Sequence, residues 1–198
     1  MRIGIVGSGS VGSSLARGLA RHGNDVMLGT RDTSKPAVRE FVSASDGRGT
    51  AGSYADAARF GDVVITAYPG RLVEETVAAM GAENLAGKIV IDAVNPIARV
   101  DGEPVAAYGD DDSAAELLQR LVPTACVVKA YNTIPAARMV DPDPAEGPTT
   151  MRIAGDDAEA KAVVSDLLVK TGWKVRDVGA LSESRRLEQE VVAWVRRG

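Results

Sequence analysis

Arg2-Ile3-Gly4-Ile5-Val6-Gly7-Ser8-Gly9-Ser10-Val11-Gly12 is the stretch that decides the fold. Its first five residues are a short, mostly aliphatic run, the pattern of a strand covered on both faces. The glycines that follow keep the spacing GxGxxG, and a stripe of Val11, Leu15 and Leu19 opens a helix that Gly23 is placed to close. Strand, glycine turn and helix in that order form the phosphate-binding half of a βαβ unit. Gly7 permits the tight turn, Gly9 lets a pyrophosphate approach the backbone, and Gly12 lets the helix pack close to the strand. The helix N-terminus adds amide donors, so Ser8, Ser10 and Val11 join the three glycines as candidate cofactor contacts. The spacing alone is weak evidence; its place directly after a strand gives it weight.

Outward from this unit, residues 25–28, 62–67, 88–93 and 125–130 also read as strands, separated by segments of helical period such as Val73, Val77 and Met80 before Gly81. Residues 94–112 read as a loop containing Pro, Gly and Asp, and 113–121 as a helix. A second irregular stretch holds Asn132-Thr133-Ile134-Pro135 and the proline-rich run 141–148. A strand (150–154), a helix (156–171), a strand (173–178) and a helix (181–196) follow, the last with Leu187, Val191, Trp194 and Val195 on one face. The expected fold is α/β: a Rossmann-type, doubly wound, mostly parallel sheet with a small C-terminal α/β unit. Residues 1–148 would form the dinucleotide-binding domain and 149–198 a small unit packed on it.

Composition narrows the function classes. The 198 residues are 45% hydrophobic and 25% charged, ordinary for a chain that buries a continuous core. The net charge of -4 argues against nucleic acid as a partner, because a polyanion binder carries a basic excess. The single cysteine, Cys126, excludes an intrachain disulfide, and with a single histidine, His22, no metal site is expected. No segment reads as a signal peptide, and none approaches the roughly 18 apolar residues of a membrane span, so a cytoplasmic protein is expected. The partners expected are small molecules, with a homodimer allowed.

The end of the second strand bears on which dinucleotide is held. An acidic residue there would accept the 2′-hydroxyl of NAD, whereas this chain has Gly29-Thr30-Arg31-Asp32-Thr33-Ser34-Lys35. Arg31 and Lys35 bring charge to a 2′-phosphate, and Thr30 and Ser34 bring hydroxyls. NADP(H) is therefore expected; the alternative is that Asp32 binds an NAD ribose while Arg31 and Lys35 are solvated. Two later strand ends, Ala67-Tyr68-Pro69 and Asn95-Pro96, point to the same crevice and should border the ribose and nicotinamide.

Other residues that look chemical have plainer readings. His22 suits the end of the first helix, Cys126 should be buried in its strand, Asp110 to Asp112 form a solvated loop, and Trp173 and Trp194 should pack the C-terminal unit. No convincing acid–base pair is visible, which favours a reaction that needs no proton shuttle.

Several segments together resemble the NADPH:coenzyme F-420 oxidoreductase family over nearly the whole chain. They are Gly7–Gly12, Gly29-Thr30-Arg31, 64–69, 92–96, Val128-Lys129-Ala130-Tyr131-Asn132-Thr133, and Gly172-Trp173 through Asp177-Val178-Gly179. The chain is also similar to the reductase domain of the STEAP-type metalloreductases. The resemblance implies an NADP-dependent oxidoreductase that moves hydride between NADP(H) and coenzyme F-420 or a flavin. With two cofactors face to face, no catalytic side chain is required. Asn95, Asn132 and Thr133 would position the rings, and Asn95, Pro96 and Asn132 would also contact the cofactor. Two other readings stay open: a non-catalytic NADP-binding redox sensor or regulatory module, and an NADPH-dependent reductase of a small imine or carbonyl compound using Tyr131 or Lys129 as proton donor.

Overall fold

The computed structural model describes residues 1–197. The chain runs β1 (Arg2–Val6), α1 (Ser10–Arg21), β2 (Asp25–Gly29), α2 (Pro36–Ser43), β3 (Gly49–Gly52), α3 (Tyr54–Phe60), β4 (Val63–Thr66), α4 (Val73–Met80) and β5 (Ile89–Asp92). It continues through β6 (Ile97–Val100), β7 (Glu103–Ala106), α5 (Ala114–Leu121), β8 (Cys126–Lys129), β9 (Thr150–Gly155), α6 (Ala158–Lys170), β10 (Lys174–Asp177) and α7 (Ser184–Arg196). Eight strands form one sheet in the order β10-β9-β8-β5-β4-β1-β2-β3. All its pairings are parallel except β8 with β9. This is the expected Rossmann-type architecture. The segment after residue 148 supplies β9, α6, β10 and α7, and its strands continue the same sheet.

Alternation along the strands divides the core in two. Ile3, Ile5, Ile65, Ile91 and Val128 point to one face, where Leu15 and Leu19 of α1, Phe41 of α2 and Leu168 of α6 cover them. Val6, Val64, Val90 and Val127 point to the other, beneath Ala57 and Ala58 of α3, Val77 and Met80 of α4 and Leu118 of α5. Each aliphatic side chain buried this way stabilises the fold by about 1.5–3 kcal/mol. The chain turns from one face to the other where β1 lies between β2 and β4. That junction is the topological switch point of the sheet.

Five elements and two side chains depart from the sequence reading. Residues 30–61 hold α2, β3 and α3, where strands had been expected only on either side. The glycine-ended β3 has little strand signature, but Ser53 and Asp56 form a capping box that marks the start of α3. Residues 94–112 are not a plain loop, because β6 and β7 pair as an antiparallel hairpin. Asp101 and Gly102 turn it with φ of 50° and 87°, the left-handed conformation a two-residue hairpin turn needs. Cys126 is half-buried at the start of β8, not enclosed in it, and burial pushes its thiol pKa up. Trp173 is buried and donates from Nε1 to the Met139 carbonyl at 2.9 Å. Trp194 does not pack: it is 60% exposed on α7.

Candidate functional site

The glycine turn has the geometry that a dinucleotide phosphate requires. Gly7 has φ of 120°, and a Cβ there would lie 2.2 Å from the Ala67 carbonyl oxygen. A Cβ on Gly12 would lie 1.8 Å from the Gly7 carbonyl oxygen, so helix and turn meet only because both residues lack side chains. Gly9 differs, since nothing lies within 4 Å of the place its Cβ would take. It is the N-cap of α1, offers no capping side chain, and is followed by a first turn without acidic residues. The first amides of α1 therefore face open space with no intramolecular acceptor from the cap, a ready anion site.

At the end of β2, Thr30 is buried and its hydroxyl lies 2.8 Å from Ser8 Oγ. These two residues, expected at different parts of the cofactor, brace one another across the turn. Asp32 is folded back: its Oδ1 accepts from Ser34 N at 2.8 Å and Ser34 Oγ at 2.6 Å. The bond from the Ser34 hydroxyl, with the backbone bond beside it, holds the Asp32 carboxyl below its ordinary pKa. The Ser34 hydroxyl is thus committed to Asp32. Arg31 and Lys35 are exposed, and among the described residues neither has a carboxylate within salt-bridge distance. Arg31 borders a small recess with Tyr54, Tyr68 and Leu72. Arg39, unremarked in the sequence, donates from Nε to the Ser34 carbonyl at 2.8 Å and adds a third cation to this loop. Its position one turn into α2, after the Lys35 cap, is the signal that could have found it.

Three more strand ends converge beyond the switch point. Ala67, Tyr68 and Pro69 leave β4; Tyr68 is buried with its hydroxyl unpartnered, and burial raises that phenol well above its ordinary pKa. A Cβ on Gly70 would stand 2.5 Å from Pro96 Cα, so Gly70 lets the loops after β4 and β5 touch. Asn95 donates from Nδ2 to the Asn132 carbonyl at 2.8 Å, and Asn132 Nδ2 donates to Asn95 Oδ1 and the Leu187 carbonyl, each at 3.1 Å. One amide pair therefore ties the ends of β5 and β8 to α7. Thr133 lies beside it on the wall of a cavity of about 540 Å³. Ile134 and Pro135 form one side of this cavity, Val191, Ala193 and Trp194 of α7 another, and Arg138, Arg152 and Arg197 supply charge.

Beneath this cavity lies a buried charge cluster that the sequence did not reveal. Lys129, with a fully buried side chain, donates to Asp92 Oδ2 at 2.8 Å, to the Val94 carbonyl at 2.7 Å, and to Glu188 Oε1. Those bonds use all three ammonium hydrogens. Asp92 Oδ1 accepts from Thr66 Oγ1 at 2.7 Å, and Glu188 Oε2 accepts from the Ala114 amide at the start of α5 at 3.1 Å. Burial lowers the Lys129 pKa, but the attraction of Asp92 and Glu188 outweighs it and leaves the pKa raised. Burial likewise pushes the Glu188 carboxyl up, against the pull of Lys129. A carboxylate pair is thus present after all, as a brace for α7 and not as an exposed acid and base. Lys129 and Tyr131, the proton donors expected for imine or carbonyl reduction, are both fully buried and do not line the cavity.

Fold and glycine turn together define a dinucleotide-binding protein of the Rossmann class. Residues 2–96 match the family described as NADP oxidoreductase, coenzyme F420-dependent. The chain is 31% identical to the F420-dependent NADP reductase of Methanothermobacter marburgensis, covering 96% of this chain and 88% of that protein. It is also 31% identical to the metalloreductase STEAP3 of Rattus norvegicus, over 94% of this chain but only 36% of that longer protein. A solved structure of a putative F420-dependent NADP reductase from Arthrobacter sp. FB24 superposes with a TM-score of 0.92 at 36% identity, covering 100% of this chain and 93% of that one. The chain belongs to the F420-dependent NADP oxidoreductase family. Among the described residues, no helix is long and apolar enough to cross a membrane.

Proposed function

We propose that this protein transfers hydride between NADP(H) and a deazaflavin, coenzyme F420, or a flavin-type acceptor. The observation that carries the proposal is convergence. β1, β4, β5 and β8 are parallel neighbours in register, so the glycine turn after β1, the loops after β4 and β5, and the cavity after β8 lie along the same carboxyl edge of the sheet, and the Asn95–Asn132 pair links the last two. Gly7, Ser8, Gly9, Ser10, Val11 and Gly12 would hold the pyrophosphate. Arg31 and Lys35, helped by Arg39, would hold the 2′-phosphate. Thr30 shapes that pocket through Ser8, and Ser34 does so by keeping the Asp32 carboxylate turned aside. Ala67, Tyr68, Pro69, Asn95, Pro96 and Asn132 would border the ribose and nicotinamide, and Asn132 and Thr133 would face the acceptor. Bound NADPH would supply a hydride, two electrons with one proton, and the balancing proton on the reduced acceptor would come from water. The chain's own contribution is orientation in a shielded crevice, which can lower a barrier by several kcal/mol. This reading implies the cytoplasm as the compartment and, as a further expectation, a homodimer that sedimentation would test.

The deciding experiment measures NADPH oxidation against coenzyme F420, FMN, FAD and ferric chelates. Stereospecifically deuterated NADPH should pass its label from one face only, to the acceptor and not to water. A protein that binds NADPH tightly yet reduces none of these acceptors is a sensor, and the proposal fails.

A further inference from the structure

Trp194 is the one aromatic residue among those described that stands exposed as a large hydrophobic; Phe41, Tyr68, Tyr131 and Trp173 are buried. It belongs to a helix whose other face is well anchored. Leu187, Val191 and Val192 are buried, and Glu188 is tied to Lys129. Arg185 meets Glu116 through two bonds of 2.9 and 2.6 Å, and Arg152 meets Glu190 through two of 3.0 and 2.6 Å. The indole is therefore presented to water by an anchored helix, on the wall of the cavity that Ile134 and Pro135 also line.

Charge around that cavity is unbalanced in one direction. Arg152 is neutralised by its bidentate Glu190. Arg138 forms a longer ion pair with Glu146, Nε to Oε2 at 3.6 Å, and its Nη2 also donates to the Asp143 and Pro148 carbonyls, each at 3.2 Å. Its guanidinium lies against Gly147, where a Cβ would stand 2.8 Å from Nη1, so that residue has to be glycine for Arg138 to lie as it does. At 3.6 Å from Glu146 its Nε makes no hydrogen bond, and Glu146 is 62% exposed, so this pairing is loose. Arg197, also on the cavity wall, has no carboxylate within salt-bridge distance among the described residues. An aromatic face beside Arg197 and the loosely paired Arg138 suits a planar ring system that carries an anion.

We infer that Trp194 stacks against the acceptor ring, and that Arg138 and Arg197 select acceptors with an anionic side chain, phosphoryl or carboxyl. The inference rests on reading this cavity as the acceptor site. It makes the phosphorylated member of any acceptor pair the better substrate.

Paired acceptors test it in the full-length protein. FMN should exceed riboflavin in kcat/KM by about tenfold or more, the size of one charge-assisted bond, and the phosphorylated deazaflavin should exceed its bare chromophore likewise. In R138A/R197A the ratio should collapse toward one. W194A should raise the KM of every acceptor roughly five- to tenfold, a typical aromatic-stacking effect, with the NADPH KM within twofold. W194F should keep most of the affinity. Fluorescence gives a readout apart from turnover, because the chain has only two tryptophans and Trp173 is buried. Acrylamide should quench a Trp194 component that acceptor shields and NADP+ alone does not, and W194F should lack that component. Unchanged acceptor KM in W194A, or an unchanged FMN preference in R138A/R197A, in an enzyme that reduces these acceptors, overturns the inference and leaves the reductase reading intact. Absence of turnover in the native protein overturns the reductase reading, and if acceptor also fails to shield Trp194 the inference goes with it.

Discussion

Replacing Lys129 by methionine is the most severe single test of how α7 is held. The change removes the only cation from a cluster in which the Asp92 and Glu188 side chains are 1% and 3% exposed. Two carboxylates are left facing one another without water, and breaking a buried ion pair costs about 3–5 kcal/mol. For a chain of this length each kcal/mol moves Tm by about 2–4 °C, so K129M should melt roughly 6–20 °C below the native protein. The pH dependence has a definite sign. Burial already raises the Glu188 pKa above its unfolded value, and Lys129 restrains that rise. Without Lys129 the folded state binds a proton more tightly still. The K129M deficit should then be smallest near the ordinary carboxylate pKa and grow as pH rises through the raised value. Urea titrations of both proteins at pH 5 and pH 8 measure the difference. In D92N/K129M/E188Q the amide oxygens still accept from Thr66 and the Ala114 amide, and most of the lost stability should be recovered. A K129M protein within about 1 kcal/mol of native at pH 8, or a deficit that grows toward acid, would refute the account of the cluster.

Four further outcomes follow from the dinucleotide turn, the β2 end and the amide pair. Gly9→Ala should leave Tm nearly unchanged because its Cβ enters open space, yet weaken NADPH at least tenfold in calorimetry, since only a ligand occupies that space. Gly12→Val, whose Cβ falls 1.8 Å from the Gly7 carbonyl, should abolish NADPH binding and cost about 1–3 kcal/mol of stability while circular dichroism still reports a folded chain. Arg31→Ala should weaken NADPH roughly 10- to 150-fold and leave NADH nearly unchanged; native protein that binds both equally would remove the case for a 2′-phosphate site. Asn132→Leu loses bonds to Asn95 and the Leu187 carbonyl, so acceptor KM should rise with NADPH affinity held within a few-fold by titration.

The sheet and the dinucleotide turn were legible in the sequence because their physics is local. A buried parallel strand is a run of apolar residues, and a phosphate-binding turn needs glycines at fixed spacing, whatever the rest of the chain does. The hairpin of β6 and β7 left a local trace too, in Asp101-Gly102, but Pro104 and the charged Arg99 and Glu103 masked its alternation. The Lys129 cluster left none. Its members lie 37 and 59 positions apart, and each looks in sequence like a residue bound for solvent. Trp194 was misjudged for a related reason. Helical spacing put it near Val191, but a face as wide as one heptad turns partly outward, and burial follows what stands opposite. Such contacts appear only once distant strands have been brought together.

The two margins of the sheet also bear on how copies of this protein meet. An edge strand offers unpaired amides and carbonyls to any passing chain. Here the edges are β3 and β10, each four residues long. β10 reads Lys174-Val175-Arg176-Asp177, with three charged and exposed side chains along it. Adding a strand from another molecule would require those charges to lose water along a ladder too short to repay it. β3 is brief and begins and ends in glycine, so it presents little side-chain surface for a stranger to pack on. Growth of the sheet into a shared, filament-like ladder is therefore opposed at both ends, and self-association is left to the helical faces.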